Sequence, residues 1–235
     1  MEDVKSDRRW AQWSGYFDAV EQEMLTLFHT REMWYRINGI LDVSGVERYT
    51  VVQNYLVRTY ATTVCTAIRR EVDIRKDTTS LTRCLMLLEQ SPASFSWRRF
   101  AALYPAQGTI EETERNARAS FAAFAPGGGD AVETAVVRRC IERYTEAAQP
   151  VKKYADEVIA HRSRGGAVEP VSVSYSAIDH ALDELGAVFG IFYGLRHPGV
   201  MLARITPIVD LTFLRMFQVP WFPEGSLLPA EIDLG

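Results

Sequence analysis

The sequence predicts an all-α fold, a helical bundle. Apolar residues recur every three or four positions in several stretches of helical length. Capping residues precede those stretches, and glycine or proline follows them. No two alternating segments offer the partners of a sheet. Helices of ~10–25 residues joined by short loops pack as a bundle.

The elements follow in order. A first helix covers about 8–28, with Trp13, Phe17, Val20, Met24, Leu27 and Phe28 at the helical period. The stretch Met33–Ile40 continues it after a break. A second helix spans 46–70, with Val52, Tyr55, Leu56, Tyr60, Val64, Ala67 and Ile68 in one stripe. Thr78, Thr79 and Ser80 offer N-caps for a short helix holding Leu81, Cys84, Leu85 and Leu88, and Ser91-Pro92 ends it. Residues 94–108 read as irregular or one-turn helical. Thr109 and Glu112 form a capping box for a helix over 109–124.

Ala125-Pro126-Gly127-Gly128-Gly129 reads as a linker rather than a phosphate cradle, because it lacks the Lys-Ser/Thr of a P-loop. Asp130 and Glu133 suggest a second capping box, before a helix with Val132, Val136, Cys140 and Tyr144 on one face. Gln149-Pro150 marks a break or kink. A further piece, 151–162, carries Val151, Tyr154, Ala155, Val158 and Ile159, and glycine stops it. Residues 167–173 read as a loop, with one short strand as the lesser reading. Ser174 or Ser176 caps a helix at about 175–195, with Ile178, Leu182, Leu185, Phe189 and Phe192 on its core side. A short proline-bounded helix at about 207–217 leads to an extended tail. We read one helical domain over 1–235, with 1–45 as a candidate appendage, the linker at 125–130 and the tail at 222–235.

Composition narrows the function. The 235 residues are 47% hydrophobic and 24% charged, as in a globular chain. The net charge of −4 leaves no global field for nucleic acid or anionic lipid, so a polyanion site needs a local basic patch. No apolar run approaches the ~18 residues of a membrane span. The charged start lacks the apolar core of a secretory signal, so a cytoplasmic location is expected. Cys65, Cys84 and Cys140 are scattered, with no CxxC pair, and are expected as reduced, buried thiols.

His29 with Glu32, and His180 with Asp183 or Glu184, have the spacing of one helix face. Ordinary surface pairs share that spacing, and neither supplies the three or four ligands a metal site needs. No metal or cofactor is expected. The five tryptophans read mainly as core, with Trp10 and Trp13 as an alternative dimer patch. The mixed-sign run from Arg69 to Asp77 reads as a solvated, salt-bridged corner.

One segment stands above this background: Val151 to Arg164. His161 ends a helical piece, where the dipole favours imidazolium and the pKa suits proton transfer. Lys152, Lys153, Arg162 and Arg164 surround it, with Arg138, Arg139 and Arg143 upstream and Asp156 five residues before. Such a set can grip a phosphodiester with its cations and move a proton with its imidazole. A solvated helix end is the plainer reading.

The stretch Asp156-Glu157-Val158-Ile159-Ala160-His161-Arg162 resembles the Arg-Asp-x-x-x-Ala-His-Arg helix end of HEPN domains, in particular the AbiU2-like family of bacterial abortive-infection and defence proteins. The helix ending in Ile68-Arg69-Arg70-Glu71-Val72-Asp73, with Ser80-Leu81 and Leu85 after it, is similar to an upstream helix pair of that family. So is the Phe213, Phe217, Val219-Pro220-Trp221 ending. The resemblance implies a HEPN-like bundle with extra helices, acting as a homodimer that cuts RNA without metal, as a defence effector or toxin. It implies His161 and Asp156 as catalytic residues, and Lys153, Arg162 and Arg164 as RNA phosphate ligands. The partners it implies are a second copy, RNA, and an antitoxin or defence partner protein, with no membrane. The chain departs from the pattern at the family arginine. Tyr154, Ala155 and Asp156 occupy the positions with four to six residues between them and His161, and none is basic. Lys153 lies one position too early and lacks the planar fork that grips phosphate. The alternative is therefore an inactive HEPN-like dimerisation or partner-binding module.

Overall fold

A computed structural model describes residues 2–43, 51–160 and 172–200. The expected strand or loop at 167–173 falls mostly outside them. So do the helix at 207–217, the Val219-Pro220-Trp221 ending and the tail at 222–235. The fold is all-α. Seven α-helices lie among the described residues: α1 (Glu2–Val43), α2 (Val51–Glu71), α3 (Leu81–Gln90), α4 (Trp97–Leu103), α5 (Ile110–Phe121), α6 (Thr134–Tyr154) and α7 (Tyr175–Arg196). A 3-10 turn, Pro92–Ser94, precedes α4, and a π-helical turn, Ala155–Ala160, extends α6.

α1 runs unbroken, where a break near residue 30 was expected. No glycine or proline lies between Tyr16 and Asn38 to stop it. Arg36 closes an i,i+4 pair on Glu32 at 2.7 Å across the expected break. The six apolar residues read from the sequence, Trp13 through Phe28, are all buried. Arg31 ties this helix to α7, through Asp183 at 2.7 Å and Asp179 at 3.2 Å.

Both α1 and α6 pack on α2, α3 and α7, and the most extensive contact is α6 on α7. α2 buries Tyr60, Val64, Cys65 and Ile68, whereas Tyr55, expected in the same stripe, is 67% exposed. All four expected positions of α3 are buried, and the Ser80 hydroxyl accepts the Arg83 amide as N-cap. All five expected positions of α7 are buried behind the Ser174 cap. Gly186 lets α7 approach α1: a Cβ there would stand 2.6 Å from Phe28 Cζ. The three cysteines are free and buried. Burial pushes the Cys65 thiol up to about 12 and raises Cys84 and Cys140, so all three stay protonated at neutral pH.

The segment 94–108 is more helical than expected. Ser96 caps α4, and Phe100 then packs on Phe121 of α5. The Thr109–Glu112 capping box forms as read. The Asp130 box does not. Asp130 gives its carboxylate to Arg118 at 2.9 Å and its carbonyl to the Trp97 amide at 2.8 Å. α6 starts four residues later, and Glu133 reaches back to accept the Gly127 amide at 2.7 Å. That bond occupies an amide a phosphate cradle would need. α6 also continues through Pro150 rather than breaking there. Pro150 itself faces outward, while its neighbours Ala147, Ala148 and Val151 are buried on the core face, and this packing holds the helix against the ~3 kcal/mol penalty of an interior proline. Val137 rather than Val136 joins Cys140 and Tyr144 on its buried face.

Candidate functional site

The site lies where the ends of α2 and α6 meet. Lys152 and Asp156 are four residues apart, so they share one face as α6 passes into its π-helical turn. Lys152 Nζ donates to Asp156 Oδ2 at 2.8 Å. From α2, the Arg69 guanidinium donates through Nε to Oδ1 of the same carboxylate. Arg69 reaches it because Tyr60, Val64 and Ile68 anchor α2 in the core and leave the next position at the interface.

Partial burial alone would raise the Asp156 pKa. Hydrogen bonds and charge from Lys152 and Arg69 outweigh that and hold it below the ordinary value. Asp156 is therefore an anion with both oxygens engaged by cations.

Ala155 is 1% exposed. An arginine at this position, where the motif aligned on Asp156 would put one, would have to enter the apolar core. The guanidinium beside Asp156 comes instead from α2, 87 residues away in sequence.

Of the residues read from the sequence, Asp156 and Lys153 are described, and Lys153 is exposed. His161, Arg162 and Arg164 lie outside the described residues. Two of the upstream arginines are engaged by carboxylates of other helices. Arg138 binds Glu89 at 2.7 Å, Arg143 binds Glu184 of α7 at 2.5 Å, and α6 runs about 20 Å from Arg138 to Lys152. The expected His–carboxylate pairs are likewise taken up by arginines. Glu32 pairs with Arg36, Asp183 with Arg31 and Glu184 with Arg143. Among the described residues, no group of three or more His, Cys, Asp and Glu is placed to hold a metal ion. No helix there is long and apolar enough to cross a membrane.

Sequence reading missed Arg69. The available signal was its place directly after Ile68, at the edge of the α2 stripe. It also missed Glu71, which is 1% exposed. Its Oε2 accepts the Leu81 amide at the start of α3, at 2.8 Å. Its Oε1 is buried without a hydrogen-bond partner, 3.9 Å from Arg70 Nε. Two further ion pairs stand in that corner, Arg70 to Glu23 and Arg75 to Asp73.

No family model, curated protein or solved structure matches this chain.

Proposed function

We propose that this chain is a HEPN-like protein of the AbiU2-like defence or toxin type, a metal-independent endoribonuclease centred on His161. One observation supports this reading above others. Arg69 supplies the guanidinium beside Asp156 that the motif lacks in its own helix. In this mechanism, His161 moves a proton at the scissile phosphodiester. Lys153, Arg162 and Arg164 hold the phosphate, and Asp156, fixed by Lys152 and Arg69, positions the turn. The active unit is a homodimer, and an antitoxin or defence partner controls it in the cytoplasm.

The purified full chain is expected to cleave RNA in the presence of EDTA. His161→Ala is expected to slow that cleavage by about 10²-fold or more, the usual contribution of a general acid or base. Intact RNA with the wild-type protein, or equal cleavage by the variant, refutes the nuclease reading.

A second reading rests on the same site. Both Asp156 oxygens are occupied and Ala155 is sealed in the core, which suits a non-catalytic dimerisation or partner-binding module. On that reading, His161→Ala leaves behaviour unchanged.

A further inference from the structure

A groove of about 500 Å³ lies between α4 and α5. Trp97 and Ala101 of α4, Ala106 of the connection and Ile110 of α5 line it, with Arg98 and Glu114 also at its surface. Ile110 is 84% exposed, at the open end of the helix stripe whose Ala117 and Phe121 are buried, and Ala117 also lines the groove. An open apolar groove of this kind calls for an occupant.

The described chain ends beside it. Gly199, at φ +82°, packs so closely on the α4–α5 connection that a Cβ there would lie 2.7 Å from Pro105 Cγ. Ala106, the next residue along that connection, lines the groove. Thirty-five residues follow Val200, and Ile208, Val209, Leu211, Phe213, Leu214 and Phe217 stand among them. The seven steps from Val200 to Pro207 span up to about 23 Å, ample to reach the groove. Residues 207–217, read as a helix, measure about 16 Å, and α5 with its 12 residues about 18 Å. The segment carries Asp210 and Arg215, opposite in sign to Arg98 and Glu114 respectively.

We propose that residues 207–217 of the same chain dock in the α4–α5 groove, with their apolar side on Trp97, Ala101 and Ile110. The docking is independent of the RNA reading and holds for either function.

The test uses the full chain with the photo-crosslinker p-benzoylphenylalanine in place of Ile110. That position is exposed, so the substitution leaves the core intact. After irradiation and digestion, mass spectrometry is expected to join the α5 peptide to a peptide within 201–222. The product should have monomer mass, and its yield should not change on ~tenfold dilution. A product of dimer mass, a crosslink to another region, or no crosslink overturns the proposal. In parallel, Ala101→Glu is expected to speed amide hydrogen exchange in 207–217 by about tenfold or more while α3 and α6 stay protected. Unchanged exchange in 207–217 also overturns it. The crosslink decides alone if that variant fails to fold.

Discussion

Glu71 and Asp156 both lie beside the last turn of α2, next to adjacent arginines, yet their charges are set in opposite ways. Glu71 is 1% exposed, and its Oε1 stands 3.9 Å from Arg70 Nε, too far for a hydrogen bond. Burial dominates there and pushes its pKa up to about 7, against the Leu81 amide and the charge of Arg70. Asp156 is 28% exposed and bound by two cations, which overcome its smaller burial and pull its pKa down. A nearby arginine does not by itself keep a carboxylate ionised. Contact geometry and the water left around the group decide it.

The largest effect that sharpens this contrast belongs to Glu71. The unfolded side chain gives up its proton near 4.5, the native one near 7, so native protein binds more protons across that window. Stability therefore falls as pH rises through it, by roughly 3 kcal/mol from this one group. Glu71→Gln should remove that slope, read as the wild-type-minus-variant difference in denaturant unfolding from pH 5 to 7.5. A difference that does not change with pH would break the contrast.

Next in size is the buried pair that shares the Glu71 neighbourhood. Thr82 donates to the Glu71 carbonyl at 3.0 Å and bonds the Tyr144 hydroxyl, and Tyr144 is fully buried. Tyr144→Phe removes one hydrogen bond but leaves the Thr82 donor satisfied, so about 1 kcal/mol should be lost. A loss well above that, measured by chemical denaturation, would mean the network acts as one unit with Glu71.

The smallest change is expected at Asp156, because Arg69 and Lys152 are each about 40% exposed and water screens them. Asp156→Asn should cost less than about 1 kcal/mol at pH 7. The sign with pH is opposite to that of Glu71. A depressed carboxylate contributes above its unfolded pKa and stops contributing as pH falls through its folded one. The variant should therefore lose less stability than wild type on acidification below about pH 4.

The same two regions show what was legible in the sequence. The buried faces of α1, α3 and α7 follow from apolar spacing alone, since each helix turns one stripe to the core. The caps Ser80, Thr109 and Ser174 are local chemistry and also readable. Glu71 was not, because its burial depends on α3 folding back over the end of α2, which no local pattern records. Nor was the Arg69–Asp156 bond, formed across 87 residues by helix packing. Asp130 and Pro150 misled for a related reason: a tertiary ion pair took the cap, and buried neighbours carried α6 through the proline.

The most direct measurement is the rate of EDTA-insensitive RNA cleavage by the wild-type chain beside Arg69→Ala. If Arg69 positions the turn leading to His161, the variant should cleave about 10²-fold more slowly, yet lose no more than about 1 kcal/mol of stability. RNA left intact by the wild type, or equal rates for the two proteins, would contradict the account.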